Sequence, residues 1–251
     1  MEIMVNQKLS FWSGKKVLIT GHTGFKGSWL MLWLLEQGAE VYGYSLEPKK
    51  DLNLFNNLLK ELSFNKFNHF IGDICEFKDF KSYIFQTKPD IVFHLAAQSL
   101  VRKSYEEPIN TWQTNLIGSL NLLQCLRELE SNCSVVLVTT DKVYKNNEWI
   151  FGYRENDQLG GFDPYSASKA ALEIAVSSWR NSFCKSHSDN NSNIKIATAR
   201  AGNVIGGGDW AEDRIIPDIM RSLSNNEILE IRNPLSTRPW QHVLEPLWGY
   251  M

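Results

Sequence analysis

The sequence lacks the features that mark several classes of protein. Its 26 basic and 28 acidic side chains leave a net charge of -2, so no positive field would attract a nucleic acid. The longest apolar run, Trp29 to Leu35, is far shorter than the ~20 residues that cross a membrane. The N-terminal stretch MEIMVNQKLS has no signal-peptide core. We therefore expect a soluble cytoplasmic protein that binds neither nucleic acid nor membrane.

Cysteine is also scarce. The four cysteines form no CxxC pair and lack the clustered histidine partners of a zinc site: Cys75, Cys125, Cys133 and Cys184. We expect buried, reduced thiols and no bound metal. With 251 residues, of which 43% are hydrophobic, the chain is long enough to bury a full core.

Short β-branched runs alternate with helical stretches along most of the chain. Strands are predicted at KKVLIT (15–20), EVYGYS (40–45), HFIGDI (69–74), DIVFHLAA (90–97), SVVLVTTD (134–141) and IKIATAR (194–200). Helices are predicted at 25–38, 52–62, 77–85, 108–129 and 164–183. Strands separated by helices pair in parallel through right-handed crossovers. The predicted fold is therefore an α/β doubly wound parallel sheet (Rossmann).

The alternation divides the chain into two unequal parts. Residues 12–202 would form the dinucleotide-binding domain, and residues 203–251 a partial substrate-binding domain. In the second part we predict a helix at 213–223, a short strand ILEIR (228–232) and a mobile loop over the pocket at Gly206–Gly208. The polar segment KSHSDNNSN (185–193) is predicted to be a flexible connector.

A glycine-rich turn directly follows the first predicted strand. Gly21 would make a tight turn, Gly24 would let the backbone approach a pyrophosphate, and Gly27 would let the helix pack closely on the strand. Phosphates would then meet exposed N–H groups and the positive end of the helix dipole. An ordinary turn is the alternative, but the strand before it and the helix after it favour a cofactor site. The residues assigned to this site are Gly21, Thr23, Gly24, Phe25, Lys26 and Gly27.

Further cofactor positions are predicted at the ends of the next strands. Ser45 stands where an acidic residue often holds the ribose, and Lys49 and Lys50 follow, so the residues favour NAD over NADP only slightly. Asp73 and Ile74 are predicted to hold the adenine, with helix capping by the aspartate as the alternative. The end of the fourth strand is predicted to leave room for the cofactor against the backbone, at Leu95, Ala96 and Ala97.

Tyr165 and Lys169 lie four residues apart at the start of a predicted helix, so their side chains share one face. An adjacent ammonium group and an oxidised nicotinamide would lower the phenol pKa from about 10 and make Tyr165 a general base. An exposed tyrosine beside a lysine is the alternative. The pair follows a strand that ends in Thr140, Asp141 and Lys142, which favours a catalytic role.

The motifs TGHTGFKG (20–27), HLAAQ (94–98), TTDK (139–142) and YSASK (165–169), together with Asn115, resemble the extended short-chain dehydrogenase/reductases over almost the entire length. Within that family, Lys142 after Asp141, RAGNVIGGGDWAEDRIIPD (200–218) and RPWQHV (238–243) are similar to the 4,6-dehydratases that act on CDP-glucose. Relatives that act on dTDP-glucose or GDP-mannose usually have Asp-Glu where this chain has Asp-Lys.

The resemblance implies a reaction and roles for these residues. Bound NAD would take a hydride from C4 of the hexose while Tyr165 removes the proton of the 4-OH, with Thr140 hydrogen-bonded to the same oxygen. Asp141 would protonate the departing 6-OH. Lys142 would assist proton transfer at C5, or else stabilise the enolate oxygen. Asn115 would organise water and backbone.

Substrate recognition is implied at several positions further along the chain. CDP-glucose would be bound by Gln98, Asn203, Arg214 and Arg238, because guanidinium groups match phosphate oxygens well. Trp210, Trp240 or His242 would shape the base pocket, with a place in the core as the alternative for the tryptophans and the solvated surface for the arginines. The resemblance also implies a homodimer formed through helices 108–129 and 164–183.

Two other functions stay open. One is a nucleotide-sugar epimerase or another dehydratase of the same superfamily. The other is a dinucleotide-binding module without turnover, because members of the family normally continue well past RPWQHV.

Overall fold

A six-stranded parallel sheet forms the centre of the fold. The computed structural model describes residues 10–48, 53–61, 67–184, 193–231 and 233–251. In spatial order, the strands are β3 (Phe67–Ile71), β2 (Glu40–Ser45), β1 (Lys16–Thr20), β4 (Ile91–His94), β5 (Cys133–Val138) and β6 (Ile194–Ala199). Every neighbouring pair is parallel. The order reverses between β1 and β4, the position where open α/β sheets bind ligands. The predicted doubly wound sheet is confirmed.

Helices cover both faces of this sheet. The helices of the described residues are α1 (Phe25–Glu36), α2 (Leu54–Glu61), α3 (Phe77–Thr87), α4 (Val101–Glu106), α5 (Pro108–Trp112), α6 (Gly118–Arg127), α7 (Pro164–Trp179), α8 (Ile215–Asn225) and α9 (Leu244–Tyr250). A π-helical turn at Gln113–Ile117 joins α5 to α6, so the helix predicted at 108–129 is one helix with an interruption. In the described parts of the chain, no helix is long and apolar enough to span a membrane.

Side chains of β1, β4 and β5 alternate between two hydrophobic cores, as the pleat of a strand requires. Leu18 on β1 faces one core, with Leu122 and Leu126 of α6, whereas Val17 and Ile19 face the other, with α1. The second core also contains Leu247 and Tyr250 of α9. Helix α9 therefore shares this core with β1 and α1, and the domain boundary at residue 202 stays a prediction.

The four cysteines are free thiols. Cys125 and Cys133 are buried, whereas Cys75 and Cys184 are only half-buried. Burial raises the pKa of both buried thiols, to about 12. The prediction of buried, reduced thiols thus holds for Cys125 and Cys133, whereas Cys75 and Cys184 are reduced but only half-buried.

The segment after β6 differs from its prediction in two places. The strand predicted at 228–232 is wrong for its described residues, 228–231, which form no strand and leave Ile228 96% exposed. Instead, β7 (Val204–Ile205) pairs in parallel with β8 (Gln241–His242). In the loop Gly206–Gly208, the carbonyl oxygen of Gly207 accepts a hydrogen bond from Trp29 Nε1 at 2.9 Å, and the mobility of the loop stays a prediction. Of the predicted connector at 185–193, the structure describes only Asn193; residues 185–192, Lys49 and Lys50 lie outside the described residues.

Candidate active site

The glycine turn between β1 and α1 forms a cradle that fits a dinucleotide pyrophosphate. Gly21 has a φ of +77°, and a Cβ there would lie 2.7 Å from the backbone nitrogen of Ala96. A Cβ on Gly27 would overlap the carbonyl oxygen of Gly21. Gly24 caps α1 without a side-chain hydrogen bond, and it is exposed. The first N–H groups of α1 are thus open to an anion that approaches along the helix dipole.

Ser45, at the end of β2, is held close to this turn. Its hydroxyl lies 2.8 Å from Thr23 Oγ1, which also donates to the Leu46 carbonyl oxygen at 3.1 Å. Ser45, predicted at the ribose, and Thr23, assigned to the glycine turn, are therefore hydrogen-bonded to each other at the carboxyl edge of the sheet.

Asp73 and Ile74 follow β3 at the same edge. Asp73 Oδ1 accepts a hydrogen bond from the Cys75 N–H at 2.9 Å, whereas the residue that caps α3 is Glu76. The alternative role of Asp73 as the cap of α3 is therefore wrong. Ile74 is buried, and its side chain packs against Gly118, where a Cβ would collide with it. Their contact with adenine stays a prediction.

The end of β4 is fixed by a buried histidine. His94 Nδ1 lies 2.7 Å from Thr20 Oγ1, and its Nε2 lies 2.9 Å from Ser119 Oγ. Burial lowers the pKa of His94 to about 3, so the ring is neutral. Thr20 also accepts the N–H groups of Leu95 at 3.0 Å and Ala96 at 3.3 Å. Leu95, Ala96 and Ala97, all half-buried, thus lie along a fixed backbone beside the glycine turn.

Asn115, in the π-helical turn, organises backbone as predicted. Its Oδ1 accepts from the Gln98 N–H at 2.9 Å, and its Nδ2 donates to the Gln98 carbonyl oxygen at 3.0 Å and to Ser168 Oγ at 2.9 Å. The amide side chain of Gln98 is itself bound to Thr111 and Leu100. Contact between Gln98 and substrate stays a prediction.

Tyr165 and Lys169 lie on the inner face of α7, against the end of β5. Lys169 Nζ donates to the carbonyl oxygen of Val138 at 3.0 Å, and the Tyr165 hydroxyl shares a hydrogen bond with Thr140. Burial lowers the pKa of Lys169 to about 8. Burial raises the pKa of Tyr165, against the opposing effects of Thr140 and Arg214. The expected lowering of the phenol pKa depends on an oxidised nicotinamide beside Tyr165, so it stays a prediction.

Asp141 and Lys142 form the short 3₁₀ turn that follows Thr140. Lys142 Nζ donates to Asp141 Oδ1 at 2.9 Å and to Asn203 Oδ1 at 3.5 Å. Thr140 Oγ1 donates to the same aspartate oxygen at 3.0 Å. About a third of each charged side chain is exposed. The pair is thus partly open to solvent, and it is hydrogen-bonded to Thr140 through Asp141 and to Asn203 through Lys142.

Two basic side chains complete this group, and they come from distant parts of the chain. Burial, and next the charge of Arg214, lower the pKa of Lys26 to about 8. Arg214 donates to Asp209 at 2.9 Å and to Ser99 Oγ at 3.4 Å. Arg238 is exposed and donates to the neighbouring Thr237 carbonyl oxygen at 2.7 Å, so its contact with substrate stays a prediction.

Two residues of the site were not identified from the sequence. Glu173 lies beneath the turn that holds Asp141, and its spacing of four residues from Lys169 would have placed it on the same helix face. Tyr250 accepts a hydrogen bond from Lys26 at 3.3 Å. Tyr250 was not identified because no pattern in the sequence predicts the helix to which it belongs.

Comparison with known proteins places the chain in a family. Residues 18–247 match the sequence profile of the GDP-mannose 4,6 dehydratase family. A CDP-glucose 4,6-dehydratase of Salmonella typhimurium is 52% identical, over 96% of this chain and 67% of the relative. A dTDP-D-glucose 4,6-dehydratase of Dictyostelium discoideum is 30% identical, over 85% of this chain and 49% of the relative. This chain thus spans about two thirds of the first relative and half of the second.

The fold also matches solved structures. A dTDP-glucose 4,6-dehydratase from Bacillus anthracis, in complex with NAD, superposes with a TM-score of 0.79 at 20% identity, over 94% of this chain and 70% of that structure. The family resemblance indicated by the motifs is confirmed. With its glycine cradle and YSASK helix on a doubly wound sheet, the chain belongs to the GDP-mannose 4,6 dehydratase family.

Proposed function

We propose that this chain carries the NAD-dependent conversion of CDP-glucose to CDP-4-keto-6-deoxyglucose. The observation that carries the proposal is the convergence of four groups at the carboxyl end of β5: the hydrogen-bonded Thr140 and Tyr165, and the paired Asp141 and Lys142. Proton removal, proton donation and charge stabilisation are the functions that a dehydration needs. The Salmonella CDP-glucose 4,6-dehydratase, the most similar of the relatives described above, supports the choice of substrate.

The cofactor site would be the glycine cradle with its neighbouring strand ends. The N–H groups of Thr23, Phe25 and Lys26 would hold the pyrophosphate. Ser45 and Asp73 would hold the adenosine, and Leu95–Ala97 would contact the side of the cofactor that faces the sheet. When bound, NAD⁺ would accept a hydride from C4 of the hexose and return it to C6.

Tyr165 would remove the proton of the 4-OH, and Thr140 would orient the same oxygen. In the protein alone, burial raises the pKa of this phenol, so the phenolate needs further positive charge beside it. The ammonium group of Lys169 and a bound cationic cofactor would provide that charge. Tyr165 then becomes a base when the cofactor and the substrate are both in place.

Asp141 and Lys142 would act at the other end of the hexose. Asp141 would hold a proton for the departing 6-OH, and Lys142 would move the C5 proton or stabilise the enolate oxygen. Their 2.9 Å contact keeps the two groups within reach of adjacent carbons. The nucleotide sugar would be contacted by Gln98, Asn203, Arg214 and Arg238. Two of these residues, Asn203 and Arg214, lie beside the catalytic side chains.

We further propose a cytoplasmic homodimer. The outer faces of α4–α7 expose apolar side chains at Tyr105, Ile109, Ile117 and Ile174, each between 49% and 69% exposed. Large exposed apolar faces of this kind favour association with a second copy. Sedimentation of the protein at micromolar concentration should give a dimer, and a monomer would contradict this part of the proposal.

The function is tested by incubating the protein with CDP-glucose and NAD⁺ in deuterated water. Mass spectrometry should show a product that has lost one water and gained one deuterium at C5, with no NADH consumed from solution. A product of unchanged formula would indicate an epimerase. NAD⁺ binding without turnover of any nucleotide sugar would indicate a binding module, and either result would contradict the proposal.

A further inference from the structure

An ion pair of the buried Glu173 and the half-buried Arg200 lies behind the catalytic turn, defined as residues 139–144. Glu173, in α7, has 5% of its side chain exposed, and Arg200, directly after β6, has 18%. Nε and Nη2 of Arg200 donate to the two carboxylate oxygens of Glu173, each at 3.1 Å. Moving two opposite charges out of water costs free energy that their attraction only partly recovers. Such a pair is a weak source of stability, so its contacts with the turn are more informative than its burial.

The ion pair holds both ends of the catalytic turn. At one end, Thr139 Oγ1 donates to Glu173 Oε1 at 2.5 Å. At the other end, Arg200 Nη1 donates to the Tyr144 hydroxyl at 2.9 Å, and the guanidinium carbon lies 4.9 Å from the centre of the Tyr144 ring. Four residues lie between these two anchors: Thr140, Asp141 and Lys142, which carry the proposed chemistry, and the buried Val143.

The same carboxylate also acts on Lys169, one helical turn earlier in α7. Glu173 raises the pKa of Lys169, against burial and the charge of Lys26, which together lower it to about 8. His94, on β4, also lies within electrostatic range of Lys169 and is neutral. Glu173 therefore opposes the loss of the Lys169 proton.

We propose that Glu173 and Arg200 are positioning residues, which fix the catalytic turn against α7 and β6 so that its three central side chains face Tyr165. The roles of those side chains rest on the proposed function, whereas the anchoring is a property of the fold. Because a misplacement of about 1 Å can lower a catalytic rate by about 100-fold, loss of an anchor affects turnover more than binding.

The anchoring is tested by hydrogen exchange followed by mass spectrometry, which needs no turnover. Thr139→Val and Tyr144→Phe each remove one anchor and leave the ion pair in place, and Glu173→Gln removes the charge. We expect amide exchange within 139–144 to accelerate by about 10-fold, because these amides open locally. Exchange in 16–36, which contains β1 and α1, should stay unchanged. Glu128→Gln, which breaks the surface pair with Lys81, is the matched control.

Two exchange results would overturn the proposal. One is unchanged exchange within 139–144 in both Thr139→Val and Tyr144→Phe. The other is equal acceleration in 139–144 and 16–36, because a merely structural pair would loosen the whole sheet. If Glu173→Gln does not fold, the two milder variants still decide the question.

Turnover of CDP-glucose gives a second readout. In Thr139→Val, kcat should fall by about 10- to 100-fold, while KM and the Kd for NAD⁺ stay within about 2-fold. In Glu173→Gln, the alkaline limb of the pH profile should move to lower pH, because Lys169 loses a negative neighbour. Parental kcat together with a parental pH profile would overturn the positioning role. If the parent protein makes no product, the proposed function fails, and the exchange result still decides the anchoring.

Discussion

The ammonium group of Lys26 donates a hydrogen bond to the hydroxyl of Tyr250 at 3.3 Å, although 224 positions separate the two residues. Lys26 belongs to the first turn of α1, and Tyr250 ends α9. Asp141 and Arg214 both act on the charge of Lys26. The contact therefore links the glycine cradle, the C-terminal helix and the residues assigned to the chemistry.

Loss of this contact should cost stability. Tyr250→Phe keeps the buried ring but leaves the Lys26 ammonium group without that acceptor, which should lower the free energy of unfolding by about 1 kcal/mol. Urea denaturation at neutral pH measures the change. Tyr153→Phe, which loses only solvent-exposed hydrogen bonds, is the matched control and should change the free energy of unfolding less. Equal stability of Tyr250→Phe and the parent would show that the hydrogen bond contributes nothing.

Gly21→Ala should damage the cradle. The added Cβ would lie 2.7 Å from the Ala96 nitrogen, and the φ of +77° is strained for alanine, so we expect a loss of more than about 1 kcal/mol of stability. NAD⁺ affinity, measured by calorimetry, should fall by at least about 10-fold. Gly207→Ala, whose Cβ would have nothing within 4 Å, should match the parent in both measurements. Parental NAD⁺ affinity in Gly21→Ala would exclude the cradle as the cofactor site.

His22 should make the protein sensitive to acid. Its ring packs among Phe55, Phe67 and His69, and burial lowers its pKa from 6.5 to about 3. The unfolded chain therefore binds a proton at His22 near pH 6.5, whereas the folded chain binds it only near pH 3. The free energy of unfolding consequently falls as the pH drops from 6.5 towards 3. Between pH 7 and pH 5 this effect amounts to about 2 kcal/mol.

His22→Phe tests this effect. Denaturation at the two pH values should show that the variant loses about 2 kcal/mol less than the parent on acidification. His242→Phe, at an exposed position, should behave like the parent. An identical acid response in His22→Phe and the parent would contradict the assignment.

Much of the sheet could be predicted from the sequence because each strand bears a local signal. The run EVYGYS predicts β2 at the residues where it forms, Glu40–Ser45. The strand at 228–232 was wrong because a β-favouring run needs a partner strand, and Ile228 and Ile231 have none to cover them. Helix α9 was missed because seven residues give little periodicity.

The candidate site was predictable only where motifs are local. Tyr165 and Lys169 are one turn apart, so their shared face follows from spacing. The contact between Lys26 and Tyr250 depends on how α9 packs on α1, which no local pattern encodes. The raised pKa of Tyr165 likewise depends on burial in the folded protein.

Substitutions at Tyr165 and Asp141 should separate the two halves of the proposed reaction. Tyr165→Phe removes the base, so no reduced nicotinamide should form on mixing with CDP-glucose, and turnover should fall by about 100- to 10,000-fold. Asp141→Asn leaves that base in place but lacks the acid for the 6-OH. Absorbance should then show reduced nicotinamide that persists on the enzyme. Equal behaviour of the two variants would contradict the separate roles.

The most direct test of the account uses CDP-glucose that carries deuterium at C4. If the hydride removed from C4 is held by the bound cofactor and returned within the same site, the deuterium will appear at C6 of the 4-keto-6-deoxy product. A dehydrated product without deuterium at C6, or deuterium released into solution as labelled NADH, would contradict the account.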